Sequence, residues 1–188
     1  MGASLNTNYP DKLKVLYSRQ EIEAAVTRLA AEITVEYQVR NPLILGVLKG
    51  SFVFMSDLVR RLDFPLETGF VQLSSYGRGT NSSGKIKIVQ DIRTTAKSRD
   101  VLVVEDIVDT GNSLTFLADY LQKKNPESLR FCCLLDKPSR RQVPVTVHYR
   151  GFTVPDKFVV GYGMDYAEQY RNLPDICVLE SHKELTTK

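Results

Sequence analysis

The sequence has no apolar run near the roughly 18 residues that a membrane-spanning helix requires. Its first ten residues are polar where a secretory signal carries an apolar stretch. Both absences predict a cytoplasmic protein. An excess of one charge is also missing, because 25 Lys and Arg face 22 Asp and Glu, for a net charge of +3 spread along the chain. That balance excludes a nucleic-acid-binding tail and a polybasic membrane anchor, so any anion must be caught locally. Cysteine is scarce and odd in number, at three, with no CxxC or His/Cys cluster, so no zinc site is expected. Cys132 and Cys133 are neighbours on an apparent strand and point to opposite faces, while Cys177 sits in another apolar run. Reduced thiols filling a core are the expectation. Internal repeats, linkers and charge blocks are absent too. With 188 residues, 43% of them hydrophobic, the chain fits one domain over 1–188 with a sizeable core.

The residues that are present alternate between strand and helix signals. Ser18 and Glu21 have capping-box spacing, and Ile22, Ala25, Val26, Leu29 and Ile33 follow at helical period, which predicts a helix from about Arg19. After Pro42, the run LILGVL at 43–48 reads as a strand buried on both faces. Ser51 then has the form of a helix cap ahead of Phe52, Met55, Val59 and Leu62. A second unit runs from the strand at 101–104 through an acidic, Gly-containing turn into a helix with Leu114, Leu117 and Leu121, ended by Asn125 and Pro126. Segments 129–135 and 157–161 complete the predicted buried strands. This alternation predicts an α/β fold with a largely parallel sheet. One stretch departs from it: 69–76 and 85–92 read as strands joined by a Gly- and Ser-rich tip, a long mobile hairpin.

The strongest chemical signal is VLVVEDIVDTGNSL at 101–114, in which a buried strand delivers Glu105, Asp106 and Asp109, and Thr110, Gly111, Asn112 and Ser113 open a helix. A Gly turn at a helix N-terminus presents backbone N–H groups and the positive dipole end, which suit a phosphate monoester. Carboxylates there would repel bare phosphate, so the ligand should also bring hydroxyls or a hard metal ion; a sugar phosphate meets both demands. Two other motifs fail. GTNSSGK at 79–85 lacks the Ser/Thr of a P-loop because Ile86 stands there, and its flanks are strands. Gly161 and Gly163 lack the third small residue of a dinucleotide fingerprint, since Tyr166 stands there and no helix opens.

The 101–114 string resembles the phosphoribosyl-pyrophosphate (PRPP) signature of the type I phosphoribosyltransferases. With LKGS at 48–51, SSYG at 74–77, LDKP at 135–138 and PDKFVVGYGMDY at 155–166, the chain resembles the hypoxanthine-guanine members of that family. The resemblance implies their fold: a parallel sheet flanked by helices, a small hood built from N- and C-terminal segments, and a hairpin lid over about 70–92. It implies transfer of the 5-phosphoribosyl group of PRPP to N9 of hypoxanthine or guanine with Mg²⁺, giving IMP or GMP and pyrophosphate, in a homodimer or homotetramer. Neither nucleic acid nor membrane is an expected partner.

By the same resemblance, 109–113 cradles the 5-phosphate through backbone N–H groups and the Thr110 and Ser113 hydroxyls. Asn112 replaces a Lys found in some relatives, at little expected cost. Glu105 and Asp106 hold the ribose hydroxyls and Mg²⁺, with Asp165 as a further Mg²⁺ contact. Asp109 handles the proton near purine N7. Lys49 and Gly50 grip the diphosphate, across a Leu48–Lys49 peptide that can be cis in relatives, and Arg171 is its cationic partner. Ser75 and Tyr76 begin the lid, whose closure excludes water. Lys137 donates to the purine 6-oxo group, Phe158 stacks on the base, and backbone carbonyls of Val159 and Asp165 meet its N1–H and 2-amino groups. An amino group at C6, as in adenine, would leave the Lys137 donor unpaired. Arg141 is assigned either to the diphosphate or to an oligomer contact. A PRPP-sensing regulator would need a basic face or added module, and a xanthine-preferring enzyme would differ only around C2.

Overall fold

The computed structural model describes residues 12–75 and 86–180. The chain builds a six-stranded sheet in the order β4-β3-β2-β5-β6-β7 and a three-stranded sheet in the order β1-β9-β8. In the large sheet β2 (Leu43–Leu48), β3 (Glu67–Ser75), β5 (Asp100–Val108), β6 (Ser128–Asp136) and β7 (Tyr149–Thr153) run parallel, while β4 (Ile86–Gln90) lies antiparallel at the β3 edge. The central strands are apolar on both faces because helices cover both.

On one face lie α1 (Arg19–Tyr37) and α2 (Phe52–Val59). The predicted capping box forms: Glu21 N–H donates to Ser18 Oγ at 3.4 Å and Ser18 N–H to Glu21 Oε2 at 2.8 Å. Its stripe of Ile22, Val26, Leu29 and Ile33 is buried against Ile44, Leu102, Val104 and Cys132, each aliphatic side chain contributing roughly 1.5–3 kcal/mol. On the opposite face α3 (Asn112–Gln122) packs Leu114, Leu117 and Leu121 against Leu43, Leu45, Val103 and Cys133. Cys132 and Cys133 thus enter opposite cores as free thiols, and burial pushes both pKa values up.

Several expectations require correction. Ser51 precedes α2 but makes no side-chain cap; it is buried and its hydroxyl donates to the Val47 carbonyl at 2.6 Å. Phe52 is exposed and Phe54 takes the inward position, and α2 ends at Val59, so the buried Leu62 lies beyond it. The strand expected over 157–161 shrinks to β8 (Val159–Val160), and it leaves the large sheet to pair with β9 (Ile176–Leu179). Gly161 ends it at φ +96°, bent towards a bridge with Met164. β1 (Leu13–Tyr17), β7 and β9 were not anticipated. β3 and β4 pair as the hairpin requires, with an irregularity at Gln72/Leu73; its tip, including Tyr76, lies outside the described residues. No helix of the described residues is long and apolar enough to cross a membrane.

Candidate active site

The helix after β2 covers one face of the sheet and the helix after β5 covers the other, so the neighbouring C-terminal ends of β2 and β5 form a topological switch point. Such a switch point is the usual ligand position in open α/β sheets. Parallel register sets the ends of β2, β5 and β6 side by side: Gly46 is level with Val104, and Val108 with Asp136. Each strand therefore delivers its polar residues to one place.

From β5 come Glu105 and Asp106. The Glu105 Oε2 atom is buried without a hydrogen-bond partner, and burial, then the charge of Asp106, raises its pKa well above the carboxylate range. Burial also pushes Asp106 up to about 6, while Arg171 pulls down and Asp165 pushes up. Gly50, in the turn after β2, fits against this carboxylate only because it has no side chain: a Cβ there would lie 1.8 Å from Asp106 Oδ2. The Leu48–Lys49 peptide leading into the turn is cis. Crowded carboxylates with an unpartnered buried oxygen are hard donors suited to a divalent cation. Among the described residues no three His, Cys, Asp or Glu side chains form a ready-made metal cage, so Glu105, Asp106 and Asp165 are not gathered as a preformed triad.

Beyond β5 the chain enters the turn at 109–113. Gly111 sits at φ +88° as the N-cap of the eleven-residue α3, a conformation in which glycine meets no Cβ penalty. This turn is held from behind. Gln142 N–H and Val143 N–H donate to the Thr110 carbonyl at 2.9 and 3.3 Å, and Asn112 Nδ2 donates to Gln142 Oε1 at 3.1 Å. Arg141 Nη1 donates to the Asp109 carbonyl at 3.1 Å while Nη2 pairs with Asp136. Arg141 is therefore a strut behind the turn. Ser113 lies in the first turn of α3, and no acidic residue in that turn opposes an anion.

Lys137 follows β6 directly and is only 6% exposed. Its ammonium donates to the Lys157 carbonyl at 2.6 Å, which ties it to the segment carrying Phe158, and burial lowers its pKa against the pull of Asp109 and Asp156. Phe158 is 37% exposed, with Tyr166 edge-on at 5.6 Å, while Val159 lies buried in β8. Arg171 donates to the Gly163 carbonyl at 2.8 Å and pairs with Asp165 at 2.8 Å and Glu168 at 3.3 Å. Lys49 reaches the same Glu168 oxygen at 3.1 Å. Ser75 is the last residue of β3.

A model of the phosphoribosyl transferase domain matches residues 13–167. The chain is 49% identical over 167 residues to the hypoxanthine-guanine phosphoribosyltransferase of Bacillus subtilis (strain 168), covering 89% of this chain and 93% of that protein. The chain belongs to the hypoxanthine-guanine phosphoribosyltransferases. A solved hypoxanthine phosphoribosyltransferase from Staphylococcus aureus superposes with a TM-score of 0.89 at 40% identity, covering 98% of this chain and all of that one. The architecture is accordingly the type I phosphoribosyltransferase fold. The bifunctional TilS/HprT protein of Listeria monocytogenes serotype 4b is 49% identical over 170 residues, of which this chain spans 26% of the length.

Within the candidate site of this hypoxanthine-guanine phosphoribosyltransferase family member, sequence reasoning missed two side chains. Arg140, in the short 3-10 turn at Pro138–Arg140, places Nε 2.9 Å from Asp109 Oδ1 and pairs with Asp156 at 3.3 Å. Glu168 bridges Lys49 and Arg171. Only their position two residues after the Lys137 and Asp165 motifs could have drawn attention to them.

Proposed function

We propose that the chain acts as one Mg²⁺-dependent phosphoribosyltransferase unit that moves the 5-phosphoribosyl group of PRPP to N9 of hypoxanthine, with guanine as second substrate. The products are IMP or GMP and pyrophosphate. One observation carries this reading: the phosphate turn and the crowded Glu105–Asp106 pair stand on one strand end, with the Lys49–Gly50 turn on one side and Lys137 on the other.

In this reading the N–H groups of 109–113 and the Thr110 and Ser113 hydroxyls bind the 5-phosphate, and Glu105 and Asp106 orient the ribose hydroxyls. Glu105, Asp106 and Asp165 would hold the magnesium, whose charge offsets the negative charge that gathers on the leaving diphosphate. Lys49, Gly50 and Arg171 bind that diphosphate. Asp109 takes or returns the proton at purine N7, with Arg140 Nε 2.9 Å from its Oδ1. Lys137 donates to O6, Phe158 stacks on the ring, and the carbonyls of Val159 and Asp165 receive N1–H and the 2-amino group. Ser75 and Tyr76 belong to a lid that keeps water from the activated sugar, and the β1-β9-β8 sheet serves as the hood. A homodimer or homotetramer in the cytoplasm completes the reading.

Nucleotide formation from PRPP and Mg²⁺, with hypoxanthine, guanine and xanthine in separate reactions, tests it by chromatography. Turnover of hypoxanthine and guanine is expected. No product from folded protein that still binds PRPP would point instead to a regulator.

A further inference from the structure

Two residues expected to bind the diphosphate already share an anion. Glu168 Oε2 lies 3.1 Å from Lys49 Nζ and 3.3 Å from Arg171 Nη2. The contact spans 119 residues between Lys49 and Glu168, so it is not a by-product of chain proximity. Glu168 reaches this position on a turn its sequence does not favour. Tyr166 and Gln169 exchange N–H···O bonds of 3.2 and 3.0 Å across the two residues between them. Both of those residues have positive φ, Ala167 at 51° and Glu168 at 64°. Two-residue turns of that backbone normally use Asn-Gly or Asp-Gly, because a Cβ is strained there. An unfavourable backbone whose tip delivers a carboxylate to two cations on separate elements is an outlier that suggests a role.

From this geometry we infer that Glu168 is a built-in counter-ion of the diphosphate subsite. It keeps the Lys49 and Arg171 side chains in place while the subsite is empty and is displaced when a diphosphate arrives. The inference rests on the assignment of that subsite under the proposed function and deepens it. Three features make Glu168 displaceable. Its side chain is 65% exposed and can swing into solvent. It offers one negative charge where a diphosphate offers several. Arg171 also keeps other acceptors, on the Gly163 carbonyl and Asp165, so only part of its hydrogen bonding must change. Glu168 therefore competes with both PRPP and product pyrophosphate, weakening the one and easing release of the other.

The test is titration calorimetry of the full chain and Glu168→Gln with PRPP plus Mg²⁺, pyrophosphate plus Mg²⁺, and IMP. Removing the competing charge is expected to tighten PRPP and pyrophosphate roughly three- to tenfold, the span of two exposed ion pairs. IMP, which lacks the diphosphate, should bind within about twofold of wild type on the same reasoning. A purely structural role would weaken all three ligands or none. Because Gln can still accept hydrogen bonds from both cations, a second variant combines Ala167→Asn with Glu168→Gly, which suits the turn and removes the side chain. It should tighten the diphosphate ligands in the same way. Unchanged or weaker diphosphate binding in both variants, or equal tightening of IMP, overturns the inference while the site assignment stands. Wild-type protein that binds neither PRPP nor pyrophosphate overturns both.

Discussion

Under the proposed function, Asp109 separates chemistry from binding at the scale of single residues. Its carboxylate faces Arg140 and its carbonyl accepts from Arg141, so replacing the side chain should leave the phosphate turn standing. Asp109→Asn is expected to lower kcat roughly hundredfold, in the range of lost general acid–base catalysis. The PRPP dissociation constant, measured directly, should move less than about threefold if backbone groups supply most of the cradle. An unchanged kcat would remove Asp109 from proton transfer. Asp106 makes a different prediction. Its folded pKa of about 6 lies above the ordinary 3.8 because burial disfavours the charge. Its ionisation thus costs the ligand-free fold stability: the contribution is intact below the unfolded pKa and is lost as pH rises through the folded one. Asp106→Asn should accordingly stabilise the ligand-free protein by up to about 3 kcal/mol at pH 7.5 and much less at pH 4. Thermal unfolding at the two pH values checks this, and equal shifts at both would show that the carboxylate carries no such cost.

At the scale of elements, the phosphate turn depends on the strap that follows Lys137. Three donors from 141–143 converge on the carbonyls of Asp109 and Thr110. Gly111 is the point where strap and turn meet: a Cβ would lie 2.9 Å from the Val143 carbonyl oxygen, at φ +88°. Gly111→Ala should cost roughly 1–3 kcal/mol of stability, seen in denaturant unfolding, and should raise the KM for PRPP more than that for the base. Equal KM values for PRPP in the two proteins would mean that the turn does not bind the 5-phosphate. Elements with a strong local signal were legible from sequence, such as the Ser18 capping box and the apolar runs of β2, β5 and β6. Strands with little local signal were not. β7 contains Arg150 and Gly151 at a sheet edge, β9 is four residues long, and β1 is a five-residue edge strand carrying Lys14. β1 and β9 become strands because distant segments pair in the small sheet, a tertiary effect that no short window carries.

For the whole molecule, function follows from where parallel strands end. Two helical layers on opposite faces of one sheet place the 49–50 turn, the carboxylate pair and Lys137 at neighbouring strand ends. Residues in contiguous motifs were therefore legible as a set. Arg140 and Glu168 were not, since their contacts run between loops that only the folded chain brings together. The proposed function ties base choice to Lys137, whose ammonium is buried and already donates to a carbonyl beside Phe158. Lys137→Ala should lower kcat/KM for hypoxanthine roughly tenfold to hundredfold, as loss of a charged hydrogen bond would, and should narrow the gap to adenine; undiminished discrimination would move the 6-oxo contact elsewhere. The most direct measurement is one reaction holding PRPP, Mg²⁺ and equal hypoxanthine and adenine, with nucleotides separated by chromatography. The account predicts IMP with no detectable AMP. AMP at a comparable rate, or no nucleotide at all, would contradict it.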